Sequence, residues 1–327
     1  MEKIDFVIMW VDGNNIEWQK EKNKYRAPQE ISVNRYRDWG FLKYWFRGVE
    51  KFAPWVNNIY FITPGYFPDW LNLENEKLKF IDQKEFIPEK YNPTFNANAI
   101  DLNLCNISEL SENFVYFNDD MFLLKNVKET DFFKNGKPCD EFSETALIAT
   151  NDVFTNMQFN NMYFANKHYS KQEFKKKHFS KYLNLKYGFR NNMMTLCLTP
   201  WKNFSLINNP HICQSFLKSS FRKFWELEPE IADKTCTFKF RDKECTTQYA
   251  VRFLQLLDGN FVPRKSSFGH YFEITNNNKK IVKTIKNQKY KCVCLNDSDS
   301  NVQFEKAKNE IIEAFERILP NKSSFEK

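Results

Sequence analysis

The sequence predicts an α/β fold, a doubly wound and mostly parallel sheet with a helical insertion, and three observations predict it. Short, nearly continuous apolar runs occur at residues 5–11 (DFVIMWV), 58–63 (NIYFIT), 78–81 and 114–117 (FVYF). Runs of that length bounded by turn residues are the pattern of strands buried on both faces. Helix-period segments lie between them, and strands alternating with helices imply βαβ units. From about residue 130 the composition turns to Asn, Lys, Phe and Met, with a basic helical stretch at 170–187, which marks an insertion.

Taken in order, the first strand stops at Asp12-Gly13-Asn14. Asp38 stands where it would cap a helix whose apolar positions Leu42, Trp45, Phe46, Val49 and Phe52 recur at helical spacing, with Pro54 closing it. The second strand ends at Pro64-Gly65 and the third follows at 78–81. A helical stretch at 98–110 leads to the fourth strand, which runs into Asn118-Asp119-Asp120. Helical candidates follow at 214–227 and 245–257. Residues 304–319 (FEKAKNEIIEAFERIL) read as an amphipathic helix ended by Pro320, either packed on the domain or lying against a membrane surface. The chain divides accordingly into an α/β part at 1–129, an insertion, lid or acceptor subdomain at 130–209, and a C-terminal part at 210–327 that completes the domain.

The 327 residues are 42% hydrophobic and 17% aromatic, which supplies a core and excludes wholesale disorder. The formal net charge of +7 fits anionic ligands such as nucleotide phosphates, an anionic membrane face, or simply a basic soluble protein. No zinc-finger or RNA-recognition signature and no single basic stripe occurs, so nucleic acid is not an expected partner. Eight Cys without a CxxC pair argue against a structural zinc site. The apolar run after Met1-Glu2-Lys3 is too short for a signal peptide, and no later run approaches the ~18 residues of a membrane span. A cytoplasmic protein with reduced thiols is expected.

In open α/β sheets ligands bind beyond the carboxyl ends of the strands, which gathers Asp12 and the 118–120 cluster into one candidate site. Adjacent carboxylates at Asp119 and Asp120 can hold a hard divalent cation that bridges diphosphate oxygens. Two Asp at such a boundary are also ordinary turn formers. Asn34-Arg35-Tyr36-Arg37-Asp38 carries two Arg on a loop entering a helix, able to clamp phosphate or to form surface ion pairs. His211 follows Pro210 in a polar loop, as an exposed base or a structural ring. Arg241 lies in a basic, aromatic run, where it presents a guanidinium to phosphate or sits on a strand with solvated charges.

The order and wording of these segments resemble the Stealth family of hexose-1-phosphate transferases. That family includes bacterial capsule and cell-surface polysaccharide phosphotransferases and the eukaryotic lysosomal-enzyme GlcNAc-1-phosphotransferase. Its first block is similar to IDFVIMWVDGN at 4–14 with Glu17-Trp18 after it. The second is similar to NRYRDWGFLKYWFRGVEKFAPWVNNIYFIT at 34–63, PDWLN at 68–72, PTFNANAID at 93–101 and LSENFVYFNDDMFL at 110–123. The histidine block resembles His211-Ile212-Cys213-Gln214 with Leu217-Lys218, where many members have Pro in place of Cys213. The arginine block resembles Phe240-Arg241 with Gln248-Tyr249.

The resemblance implies a domain like those of nucleotide-diphospho-sugar transferases and a phosphoryl transfer. An acceptor hydroxyl attacks the β-phosphorus of a UDP-sugar, UMP leaves, and a sugar–phosphate–sugar diester results. It implies Mg²⁺ or Mn²⁺ on Asp119 and Asp120, and Arg35, Arg37 and Arg241 gripping phosphoryl oxygens. His211, in preference to Asp119, takes the acceptor's proton. Asp12, Asn34, Asn98 and Gln248 contact nucleotide or sugar. The implied partners are a UDP-sugar donor and an oligosaccharide or polysaccharide acceptor, free or lipid-linked. The implied place is the cytoplasm, at the inner face of the cell membrane with peripheral association. The competing reading is a metal-dependent glycosyltransferase that attacks the anomeric carbon and releases UDP.

Overall fold

The central sheet has five strands, four of them the apolar runs of the N-terminal part. A computed structural model of the chain describes residues 2–25, 37–297 and 301–327. Strands β1 (Ile4–Met9), β2 (Ile59–Thr63), β3 (Leu78–Asp82) and β4 (Asn113–Asn118) run parallel, in the spatial order β4-β1-β2-β3. A fifth strand, Gln214–Leu217, pairs antiparallel with β4 at the edge, Gln214 opposite Tyr116. The fold is thus α/β on a mostly parallel sheet, as the sequence predicts. The 214–227 stretch, expected to be wholly helical, is corrected: its first four residues join the sheet and only Lys218–Leu227 is helix. The apolar period runs unbroken through both pieces, and the open edge of β4 decides where the strand ends.

Strand residues alternate between two cores. Phe6, Ile8, Phe61 and Phe117 face the helix Leu42–Phe52 and the C-terminal helix Phe304–Ile318. Val7, Tyr60, Ile62 and Tyr116 face a second cluster that includes Phe221, Phe224 and Leu254. That two-sided covering explains the continuous apolar runs of β1, β2 and β4, which are buried on both faces, whereas the edge strand β3 is partly exposed. Asp38 does not cap the helix Leu42–Phe52, another correction; its Oδ1 accepts from Gly40 N at 2.7 Å within the turn before it. The turn needs Gly40 at φ +68°, which leaves Asp38 too far back to reach the first helical turn.

The C-terminal helix packs rather than floats. Phe315 stacks on Tyr44 at 5.2 Å between ring centroids, and Ile311, Ala314 and Phe315 are buried, so this helix has no apolar face left for a membrane. A second small sheet places β5 (Met121–Leu123) against Cys292–Asn296, which in turn pairs with Gly269–Glu273. Between residues 153 and 198 the chain is helical, in segments Val153–His168, Lys171–Lys177, Phe179–Tyr182 and Gly188–Leu198. These surround a separate cluster with Phe142, Phe174, Tyr182 and Phe253. The buried Lys171–Glu144 ion pair (2.9 Å) lies beneath them.

Candidate active site

The cleft opens where the strand order reverses. The chain lays β2 and β3 on one side of β1 and returns to place β4 on the other, and in such sheets the crevice lies beyond the carboxyl ends at that point. Met9 closes β1 beside Asn118, the last residue of β4. Beyond them lies an open cleft with a cavity of about 260 Å³, bordered by Trp10, Asn118, Asp119, Asp120, His211 and Arg241. That is close to the lower end of small-molecule sites, which span roughly 300–1,000 Å³, and the cleft continues into solvent.

Asp119 and Asp120 form the two-residue turn between β4 and β5, and the turn is pinned because Leu295 N donates to Asp120 O at 2.8 Å. Asp119 is exposed on the cleft side and keeps part of its hydration; crowding by the surrounding protein, then the charges of Asp120 and Asp38, push its pKa up. The Asp120 Oδ2 accepts from the Cys294 thiol (3.2 Å) and lies 3.9 Å from His211 Nε2. Its Oδ1 is buried and has no hydrogen-bond partner among the described residues.

An orphaned carboxylate oxygen beside a second, repelling carboxylate suits a bound cation, which would satisfy both. The Asp119 and Asp120 oxygens match magnesium or manganese. Asp120, His211 and Cys294 also offer three donor atoms within 4.8 Å of one another, and their nitrogen and sulfur match a softer ion better.

His211 has φ +46°, in the left-handed region that few non-glycine residues occupy. Its Nδ1 lies 2.7 Å from the Tyr249 hydroxyl. Tyr249 is the second residue of the helix Gln248–Leu257, and Arg252 on that helix donates to Asn208 O (2.9 Å) and Asn209 Oδ1 (3.0 Å). The loop carrying His211 is thereby tied twice to one helix. Arg252 is itself anchored by Asp140 through bonds of 2.8 and 2.9 Å. Breaking a buried pair of this kind costs about 3–5 kcal/mol, so the tie is firm. Burial lowers the His211 pKa; Asp120 pulls it up and Arg241 pushes it down, and the ring stays neutral at pH 7.

Arg241 borders the same cleft, exposed to it, and makes no hydrogen bond or ion pair among the described residues. A guanidinium without a carboxylate partner is available to an anionic ligand. Arg37 is not: Asp297 takes its Nε (2.8 Å) and Nη2 (2.6 Å), and its ring contacts are Trp39 and Phe304. Asn34 and Arg35 lie outside the described residues. Asp12 borders the adjoining groove with Asp38 and Asp69, separated from the main cleft by the shared Trp10. Asn98 is buried behind the cleft wall, its amide on Met157 Sδ at 3.1 Å, and Gln248 is buried at the start of its helix.

Asp101 lies buried, its Oδ1 without a hydrogen-bond partner among the described residues. Burial raises its pKa to about 7, against the opposing pull of the Tyr116 hydroxyl and Arg241. Its unfolded value is near 3.8, so its contribution favours the fold at low pH and is lost as pH rises toward 7. Asp101→Asn keeps the shape without the charge. It should raise the thermal midpoint at about pH 8 more than at about pH 5; an equal shift, or a drop at the higher pH, counts against an ionisable group held at a cost.

Residues 35–140 match the family description Stealth protein CR2, conserved region 2. Over 332 residues the chain is 42% identical to a capsular polysaccharide phosphotransferase, WcwK, of Streptococcus pneumoniae, covering 100% of this chain and 99% of the relative. It is 39% identical to an exopolysaccharide phosphotransferase, cps2G, of Lactiplantibacillus plantarum, covering 99% and 96%. Among solved structures, the galactosyltransferase LgtC with donor and acceptor sugar analogues aligns over 98% of both chains at 10% identity and a TM-score of 0.39.

Proposed function

The chain belongs to the Stealth family and is a transferase, and on that premise we propose that it moves a hexose-1-phosphate from a UDP-sugar to a hydroxyl of a saccharide acceptor. The product is a phosphodiester within a surface polysaccharide, and UMP is released. What supports the reading is the meeting of Asp119, Asp120, His211 and Arg241, from three distant stretches of chain, around one cleft.

In this reading the acceptor hydroxyl attacks the β-phosphorus as His211 Nε2 takes its proton. The Tyr249 hydroxyl accepts from Nδ1–H and so leaves the Nε2 lone pair toward the cleft. The bond from phosphorus to the UMP oxygen breaks, and Arg241 holds the phosphoryl oxygens as their charge redistributes. Asp119 and Asp120 would hold Mg²⁺ or Mn²⁺, which when bound neutralises the diphosphate and the departing UMP. Asp12 and Asn98 are assigned to the nucleotide and sugar side, with Arg35, Asn34 and Gln248 alongside. Arg37 acts through its pair with Asp297, which fixes the end of the strand beside the cleft. Residues 130–209 are read as an insertion that serves as a lid or carries acceptor specificity.

Incubation with a panel of UDP-sugars, Mg²⁺ and a sugar acceptor should release UMP, and EDTA should remove at least about 90% of the rate until Mg²⁺ or Mn²⁺ is restored. Chromatography of the nucleotide decides the reaction. UDP in place of UMP overturns the phosphoryl transfer and makes the protein a glycosyltransferase; a rate indifferent to EDTA removes the cation.

A further inference from the structure

The helical segment has an outer surface that the reaction does not use. Twelve of the seventeen large hydrophobic side chains exposed among the described residues lie between 148 and 201. The helix Gly188–Leu198 buries only Thr195 and turns Phe189, Met193 and Leu196, at helical spacing, to solvent. Around it Leu185 is 98% exposed, Phe189 82%, Phe179 63% and Trp201 62%. Soluble monomers rarely leave so concentrated an apolar surface uncovered.

Charge identifies what covers it. Residues 153–210 contain nine Lys and Arg against one acidic residue, Glu173, a surplus of eight in a chain whose formal net charge is +7. The rest of the molecule is therefore close to neutral, and the positive charge belongs to the segment with the exposed apolar side chains. Lys176, Lys186, Arg190 and Lys202 are exposed among those side chains. Aromatic and aliphatic residues interleaved with basic ones are the composition of a surface that lies in the interfacial region of an anionic bilayer, apolar groups inserted and cations at the headgroups. A second copy of the same face fits poorly, since pairing would oppose two like-charged surfaces.

We propose that this segment docks the enzyme on an anionic phospholipid membrane. It also ties that surface to the cleft. On the helix Val153–His168, which exposes Phe154 and Phe159, Asn160 donates to the carbonyls of Lys243 (2.9 Å) and Cys245 (2.8 Å), just past Arg241. Docking there brings the cleft to an acceptor carried on a membrane lipid; that last clause rests on the phosphotransfer reading, whereas the docking does not.

The test is co-sedimentation of the full chain with vesicles of phosphatidylcholine alone or mixed with phosphatidylglycerol. Binding is expected on the mixed vesicles, weakened by added salt. The double variant Phe189→Ser/Trp201→Ser should lower the partition coefficient about tenfold or more. Lys176→Glu/Lys186→Glu should lower it about fivefold or more per charge on anionic vesicles only. Both replace exposed side chains, and an unchanged thermal midpoint shows that the fold is intact. Absence from the pellet with mixed vesicles, binding that ignores both variants, or a dimer in light scattering that Phe189→Ser/Trp201→Ser dissociates, each overturns the proposal. No nucleotide sugar enters the assay, so its failure leaves the phosphotransfer reading standing, and the reverse.

Discussion

Replacing Arg241 with Ala should lower kcat/KM for hexose-1-phosphate transfer by about 10³-fold or more, the scale on which arginines act in phosphoryl transfer. The reason lies in what surrounds the side chain. Arg241 borders the cleft with Asp119 and His211 and makes no hydrogen bond or ion pair among the described residues, so its donors are uncommitted until a phosphate arrives. Arg37 makes the contrast: its donors are spent on Asp297. Arg241→Lys keeps the charge but loses the planar fork, and should recover no more than about a tenth of the lost rate enhancement on a logarithmic scale. Initial rates of UMP release measure both. Because Arg241 is exposed and unpaired, the thermal midpoint should stay where it is, which separates a lost contact from a lost fold. An Ala variant within about threefold of the parent rate would leave the guanidinium without a role in the transition state.

Much of this arrangement is written in local sequence. The four parallel strands follow from apolar runs that need no partner to be recognised, because a strand covered on both faces is apolar at every position. Asp119 and Asp120 follow from the same logic, as polar residues where such a run stops. What local pattern does not carry is pairing across distance. The strand Gln214–Leu217 is set by the edge of β4, 98 residues earlier by its Gln214–Tyr116 register, and no periodicity within the segment reveals it. Tyr249 meets His211 across 38 residues, and Cys294 meets Asp120 across 174.

A usable signal for the last of these did exist. Residues 292–296 (CVCLN) run into Asn296-Asp297 much as β4 runs into Asn118-Asp119, an apolar strand ending on an amide and a carboxylate. Reading that repetition places a second strand end at the cleft, where Asn296 in fact stands. Cysteine spacing does not point there, because Cys292 and Cys294 are strand residues with no repeated ligand spacing. The helix predicted to start at 245 starts at Gln248, and Tyr249, beside it, is the residue that meets His211, a contact no local pattern announces.

His211→Asn should lower kcat by about 10²–10⁴-fold, the contribution of a positioned general base, equivalent to about 3–5 kcal/mol of barrier. Asparagine is the informative replacement, since it too tolerates the left-handed backbone that His211 adopts at φ +46°. The loop is held independently by Arg252, so the variant should fold with the cleft intact. Burial lowers the His211 pKa below its ordinary 6.5 and outweighs the pull of Asp120, so the ring is a free base at neutral pH. Protonation below that pKa removes the base; the parent rate should therefore fall toward acid pH, and the variant should lack that limb. Tyr249→Phe removes the Nδ1 partner but leaves the ring, and should cost about tenfold in kcat with KM little changed. If His211→Asn keeps more than about a tenth of the rate, His211 is a wall of the cleft and not the base, and the proton then goes to Asp119, the other candidate base.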